Sequence, residues 1–332
     1  MRALITGIGG FAGSHLAEYL LGLGDWEVWG LVYASYRNIA HIQDRLRLLE
    51  GDARDREVVT DLLRRSRPDH IYHLAGQAFV PSSWKDPWAT LETNIKTQLN
   101  ILQVTVDLGL EAKILVVGSN EEYGQIRPDE LPVKETNPLR PDSPYGVSKI
   151  AQDMLGLQYY LSHGLHTVRV RPFNHLGPRQ SERFVAPAFA KQMAEIEAGL
   201  RPPVLRVGNL TPQRDFTDVR DVVRGYHLAV SKGEPGEVYN IGSEVACPIQ
   251  RILDLLLDMG DVSVSVEEDP ARFRPSDVPV SVSDCSKFRR QTGWRPEIPL
   301  EKSLGDVLDY WRMQVKEVKR FERGQNLWES RL

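Results

Sequence analysis

Tyr145 and Lys149 carry the chemistry most readily read from this chain. Four residues apart on a helix, they share one face and stand one turn from each other. An ammonium so placed lowers a phenol's pKa from about 10 toward neutrality, where the phenol can exchange a proton with a carbonyl or an alcohol. The spacing by itself also describes a half-buried helix surface, so it gains meaning only beside a second pattern. Ala3-Leu4-Ile5-Thr6 is a short apolar run of β-character leading into Gly7-Ile8-Gly9-Gly10-Phe11-Ala12-Gly13, after which Leu16, Leu20 and Leu23 recur on one side of a helix. In a strand, glycine turn and helix, backbone N–H groups and the helix N-terminus hold a pyrophosphate, so dinucleotide binding is expected. The spacing is Gly7-x-x-Gly10-x-x-Gly13, wider than the Gly-x-Gly-x-x-Gly of simple dehydrogenases, with Gly9 as an extra glycine inside the turn.

The elements that must position these groups alternate through the first half. Strands are predicted at Trp26–Val32, Leu46–Leu49, Ile71–Leu74, Ile114–Val117 and Val168–Val170, with helices between them such as Arg54–Arg65 and Trp88–Leu108. Such alternation predicts an α/β, Rossmann-type doubly wound parallel sheet, whose ligands bind beyond the C-terminal ends of the strands. Tyr145, Lys149 and the glycine turn all map to those ends. After Pro172 the rhythm changes to segments rich in Pro, Arg and Gly, Asn174–Arg183 and Arg201–Arg214. A helix over Asp218–Val230 and a strand at Val238–Ile241 suit a return to the main sheet. The expected division is therefore a dinucleotide-binding domain over 1–173, rejoined by 215–242, and a smaller α/β substrate-binding lobe built from 174–214 and 243–332. The last stretch, Lys316–Leu332, is charged and helical in character and carries no chemistry.

Composition excludes several classes. The 332 residues are 41% hydrophobic and 26% charged, ordinary for a soluble globular protein with a sizeable core. A net charge of −4 argues against nucleic-acid binding. Two cysteines, Cys247 and Cys285, make neither a disulfide framework nor a metal cluster. No apolar run approaches the roughly 20 residues that span a bilayer. Met1 stands directly ahead of the first strand, with no room for a signal peptide, and a cytoplasmic location is expected.

Taken together, Thr6-Gly7-x-x-Gly10-x-x-Gly13, His73-Leu74-Ala75-Gly76, Ser119 and Tyr145-x-x-x-Lys149 resemble the extended short-chain dehydrogenase/reductase superfamily over nearly the whole chain. The resemblance implies a nicotinamide cofactor, a nucleotide-sugar substrate, and Ser119 as a third catalytic position whose hydroxyl bonds the substrate oxygen. Members that only bind a dinucleotide typically lack the tyrosine or the lysine; both are present here. Cofactor contacts are implied at Gly7, Gly10, Phe11, Gly13, Leu74, Ala75, Gly76, Tyr145, Lys149, Pro172 and His175, with Asp52 and Ala53 at the adenine. The second strand ends Leu31-Val32-Tyr33-Ala34-Ser35-Tyr36-Arg37 without the acid that bonds the ribose of NAD. Ser35 and Arg37 suit a 2′-phosphate, so NADP(H) is favoured and NAD(H) stays open.

Other strings resemble the branch acting on GDP-mannose and its derivatives, whose members are 4-keto reductases that form GDP-rhamnose and 4,6-dehydratases. These are Gly118-Ser119-Asn120-Glu121-Glu122-Tyr123-Gly124, Arg171-Pro172-Phe173-Asn174-His175-Leu176-Gly177-Pro178, Val207-Gly208-Asn209-Leu210, Arg214-Asp215-Phe216-Thr217-Asp218 and Arg274-Pro275-Ser276-Asp277. On that resemblance Ser83, Glu121, Asn174, Val185, Lys191, Asn209, Arg214 and Arg274 face a GDP-sugar. The two arginines suit bidentate contact with diphosphate oxygens. His73 to Pro81 and the short connection from Tyr33 to Leu46 look more like the reductase. Glu121 keeps both activities open, because a dehydratase uses a glutamate here as the base that removes the proton beside the new ketone. The resemblance also implies a homodimer formed through the helices near 88–108 and 144–163.

Overall fold

The computed structural model describes residues 1–273 and 278–329, with side chains through residue 317. The chain opens with β1 (Arg2–Thr6), α1 (Phe11–Leu23), β2 (Glu27–Val32), β3 (Arg47–Glu50), α2 (Arg56–Ser66) and β4 (His70–His73). It continues through α3 (Val80–Lys85), α4 (Pro87–Asp107), β5 (Lys113–Val117), α5 (Pro144–His163) and β6 (Thr167–Pro172). These strands lie within one or two residues of the runs expected from sequence, and all pair in parallel. Helix starts follow local chemistry. Asp55, Asp86 and Ser143 each accept a backbone N–H from the first turn of α2, α4 and α5, and proline occupies the opening turn of the last two.

Beyond β6 the chain builds β7 (Asn174–Leu176), α6 (Val185–Glu197), β8 (Val204–Val207) and β9 (Gln213–Asp218), then α7 (Val219–Lys232) and β10 (Val238–Ile241). It finishes with β11 (Ala246–Pro248), α8 (Ile249–Asp258), β12 (Ser265–Glu268), β13 (Val280–Ser281), α9 (Ser286–Thr292) and α10 (Leu300–Glu329). The large sheet has seven strands in the order β10-β6-β5-β4-β1-β2-β3. Apolar residues fill both of its faces. Ile5, Leu16, Leu20, Val222 and Tyr226 pack on one, and Leu4, Ile71, Ile101, Ile114 and Val116 on the other. That double burial explains the near-continuous apolar strands.

Two polar strand residues tie the sheet's central C-terminal ends together. Thr6 Oγ1 bonds His73 Nδ1 at 2.8 Å, and His73 Nε2 reaches Thr97 of α4 at 3.2 Å. Burial pushes the His73 imidazole down to about 3, so it stays neutral at working pH.

The smaller lobe has its own core, in which Phe189 and Met193 of α6, Ile252 and Leu256 of α8, and Leu304 and Leu308 of α10 meet. Its sheet runs β11-β9-β13 with β7 also on β9, and β8 pairs with β12 separately. Residues 213–218 thus belong to the lobe, and the chain crosses to the main sheet only at α7, after the Asp218 cap. Segment 286–294, expected in the lobe, packs instead on the main sheet. Phe288 and Trp294 are buried in its core, with Tyr239 and Phe288 ring centres 5.5 Å apart. Trp294 reaches the first half of α7, where its indole N–H donates to the Asp221 oxygen at 3.0 Å.

Candidate active site

Tyr145 enters in the first turn of α5, where the Ser143 hydroxyl accepts the Gly146 N–H at 3.0 Å. One turn on, Lys149 Nζ donates to the Val117 carbonyl at 2.9 Å and lies 5.8 Å from the Tyr145 ring centre. Ser119 follows β5 and caps a single turn of 3₁₀ helix at Asn120–Glu122. Its Oγ accepts the Glu121 N–H at 3.2 Å, and the Glu122 carboxyl accepts the Ser119 N–H at 2.8 Å. Serine, tyrosine and lysine, distant in sequence, are therefore gathered at the C-terminal edge of β5.

Burial pushes the Tyr145 phenol above its ordinary value, against a hydrogen bond with Ser119 that lowers it. Burial also drives Lys149 down to about 8. The ammonium does not bring the phenol toward neutrality as the sequence suggested, because both groups have left water and Nζ is turned to a carbonyl. A tyrosine that keeps its proton is poised as an acid.

The glycine turn fits a pyrophosphate. Gly7 has φ +70°, and a Cβ there would stand 2.9 Å from the Ala75 nitrogen. At Gly13 a Cβ would fall 2.3 Å from the Gly7 oxygen. Gly10 caps α1 without a side chain, so the first-turn N–H groups stay open to an anion. Asn38 Nδ2 braces the turn through the Gly9 oxygen at 3.1 Å. Leu74, Ala75 and Gly76 run beside it, with the Ala75 N–H on Thr6 Oγ1 at 3.2 Å. The Phe11 ring stacks on His175, just past Pro172, with centres 5.8 Å apart. At the far end, Asp52 binds the Arg54 side chain at 2.6 Å and its N–H at 2.8 Å, next to buried Ala53. Ser35 Oγ accepts the Arg37 N–H at 3.1 Å, and the Arg37 guanidinium donates to Gln314 of α10.

Beside the catalytic residues lies a cleft of about 560 Å³ between the sheet edge and the lobe. Glu121, Asn174, Val185, Asn209 and Arg214 line it, as expected. Asn174 Oδ1 is buried without a hydrogen-bond partner among the described residues, an unsatisfied acceptor on a residue that lines the cleft. Arg214 Nη1 is held by the Val278 carbonyl at 2.6 Å. Ser83 and Lys191 are not among the lining residues. The Ser83 hydroxyl is buried within α3 and donates to the Val80 oxygen at 2.7 Å. Lys191 Nζ lies 3.6 Å from Glu182 and 5.4 Å over the Trp311 ring of α10. Arg274 lies outside the described residues. Sequence reasoning missed Phe79, Trp84 and Arg183 at the cleft mouth, where Arg183 stacks 4.8 Å over the Phe79 ring. The aromatic in the quoted His73–Pro81 string was the available signal.

Extended short-chain dehydrogenase/reductases are the class that carries such a site at the edge of such a sheet. More narrowly, the chain belongs to the GDP-mannose 4,6-dehydratase family, whose model matches residues 4–307. It is 36% identical over 316 residues to a GDP-6-deoxy-D-mannose reductase of Pseudomonas aeruginosa, covering 95% of this chain and 99% of that one. To a GDP-mannose 4,6-dehydratase of Vibrio cholerae it is 30% identical over 350 residues, covering 92% of each. Among solved structures it resembles RMD from Pseudomonas aeruginosa complexed with NADPH, at TM-score 0.84 and 33% identity over 94% of this chain and 99% of that one. A Thermus thermophilus UDP-glucose 4-epimerase complex with NAD gives TM-score 0.83 at 31% identity, over 94% and 99%.

Proposed function

We propose that the protein reduces the 4-keto group of GDP-4-keto-6-deoxy-D-mannose to give GDP-D-rhamnose, with NADPH as reductant. The observation that carries this reading is the gathering of Ser119, Tyr145 and Lys149 at the C-terminal edge of β5, next to Asn120, Glu121 and Ser143 of a cleft that Asn174 and Arg214 also line. Its similarity to the Pseudomonas reductase supports the direction of the reaction, and the absence of an acid at the end of β2 supports NADPH. The reduced nicotinamide, when bound, supplies the hydride. Tyr145 gives its proton to the alkoxide oxygen as it forms, while the Ser119 hydroxyl donates a hydrogen bond to the same atom. Lys149 sets a positive charge near the phenol as its proton leaves. Arg214 faces the diphosphate and Asn174 a sugar hydroxyl or phosphate oxygen.

The exposed Trp88 and Leu99 of α4 and Val147, Met154 and Leu161 of α5 support a homodimer through those helices. Two buried, unpaired cysteines suit a reducing, cytoplasmic setting. A second reading, GDP-mannose 4,6-dehydratase, is favoured by Glu121, which lines the cleft beside Asn120 where a base would act. Two incubations separate them. Net NADPH oxidation with the 4-keto sugar nucleotide alone is the expected result. Loss of water from GDP-mannose without added reductant would make the protein a dehydratase with Glu121 as its base.

A further inference from the structure

Behind Ser119 and Lys149 lies a buried ionic cluster that the chemistry above does not use. Glu122 and Asp153 meet Arg169 and Arg171 of β6, and all four are nearly inaccessible to solvent. Arg171 Nε lies 2.9 Å from Glu122 Oε2 and also 2.9 Å from Asp153 Oδ2, but its N–H is directed at Asp153. Arg169 Nη1 donates to Asp153 Oδ1 at 2.7 Å, while Arg169 Nη2 is taken by the Gly236 oxygen. Arg171 Nη1 goes to the Tyr123 hydroxyl at 3.1 Å and the Glu135 oxygen at 3.3 Å. Both guanidiniums are thus committed to Asp153 and to neutral acceptors, and Glu122 Oε2 is left buried with no aligned donor among the described residues. A carboxylate oxygen stranded so, next to a second carboxylate, is costly. One proton between the two carboxyls satisfies every atom.

We propose that Glu122 is a positioning residue that works as an un-ionised acid: Oε1 accepts the Ser119 backbone N–H, and the proton on Oε2 is donated to Asp153. The side chain thereby anchors the turn that carries the catalytic hydroxyl. It also occupies the space beneath Gly118, where a Cβ would stand 2.1 Å from Oε1, so a side chain at 118 would displace this carboxyl. Burial and the Asp153 charge push the Glu122 carboxyl well above the usual carboxylate range, against the pull of the Arg171 guanidinium and the Ser119 N–H. Against burial, Arg171 and Arg169 hold Asp153 below it. Lys149 and Tyr145 of α5 and the neighbouring Tyr123 also face Glu122, and an ionised Glu122 would raise the pKa of all three. Keeping the carboxyl neutral therefore spares Tyr145 an anion that would make its proton harder to give up.

The test compares the full-length wild type with Glu122→Gln and Glu122→Leu. Infrared difference spectra at neutral pH, wild type minus Glu122→Gln, are expected to show the C=O stretch of a protonated carboxylic acid. The difference also separates Glu122 from Asp215, whose carboxyl burial raises as well. The kinetic arm rests on the carbonyl-reductase reading. Glutamine can copy both hydrogen bonds, so Glu122→Gln should keep kcat within about twofold. Glu122→Leu, leaving the Ser119 N–H and Asp153 unpaired, should lose about tenfold in kcat with KM little moved. No carboxylic-acid band, or a Glu122→Gln enzyme as impaired as Glu122→Leu, would overturn the proposal. If Glu122→Leu fails to fold, the band and the Glu122→Gln rate still decide it. A wild type that shows the band but reduces no sugar nucleotide would count against the reductase reading and not against this one.

Discussion

Replacing Gly13 by alanine tests whether the turn is a cradle set by backbone contacts. Alanine ordinarily gains up to about 1 kcal/mol over glycine inside a helix. Gly22, further along the same helix, has nothing within 4 Å of its would-be Cβ and should realise that gain. At Gly13 the Cβ would meet Gly7 O at 2.3 Å, Ile8 Cα at 2.9 Å and Gly7 C at 3.0 Å. All three are backbone atoms, so no side-chain rotation relieves the overlap and the first turn of α1 must move away. Overpacking of this kind costs about 1–3 kcal/mol, which reverses the helical gain. The net expectation is a Tm lowered by about 2 °C for Gly13→Ala and raised for Gly22→Ala. The displaced N–H groups are those offered to the pyrophosphate, so NADPH affinity should fall about ten- to a hundredfold for Gly13→Ala only. Thermal unfolding of the two variants and calorimetric titration with NADPH measure both effects. A Gly13→Ala protein as stable and as tight-binding as Gly22→Ala would refute the reasoning.

Tyr145→Phe should cut turnover by about a hundredfold or more while nucleotide binding stays near wild type, and strong residual turnover would remove Tyr145 from the acid's role. Asn174→Ala, which removes the orphaned cleft acceptor, should weaken GDP-sugar binding by about tenfold with the fold unchanged, measured by titration. Arg37→Ala should lower the ratio of NADPH to NADH kcat/KM by about tenfold, and an unchanged ratio would free Arg37 from a 2′-phosphate role. Stability should fall on acidification. Burial drives His70 down to about 4 in the folded chain, so between its ordinary 6.5 and 4 the unfolded chain binds the proton first. The contribution of this histidine is full above 6.5 and drops by at most about 1.4 kcal/mol per pH unit below it. Urea midpoints at several pH values should show a shallower acid slope for His70→Phe than for wild type.

What could be read from the chain was local. The glycine turn, Tyr145 with Lys149, and the apolar strands each announce themselves within a dozen residues, because strand and helix periodicity and turn chemistry are short-range. What could not be read depended on distant partners. Arg169 and Arg171 sit in a fully buried strand, and partners far away in sequence, Asp153 on α5 above all, make that tolerable. Glu122 looked like another acid beside Glu121, and nothing in the string told which of the two is buried. Lys191 matched a family position but found Glu182 and Trp311 instead of the cleft. Ser83 was absorbed by its own helix. Trp294 and Phe288 carry no motif, so their place in the main core followed only from the finished packing. The protonation of Tyr145 ran against the sequence argument because i,i+4 spacing reports proximity and not burial.

The central claim is that Tyr145 and its neighbours serve a net reduction at the sugar's 4-keto carbon. The most direct measurement supplies the enzyme with GDP-4-keto-6-deoxymannose and NADPH deuterated at the transferable position, and reads the product by NMR. The account predicts one deuterium at C4 of the sugar nucleotide for each NADPH oxidised, lost in Tyr145→Phe. A product without deuterium, or a 4-keto sugar nucleotide left unreduced with the NADPH unconsumed, would contradict it.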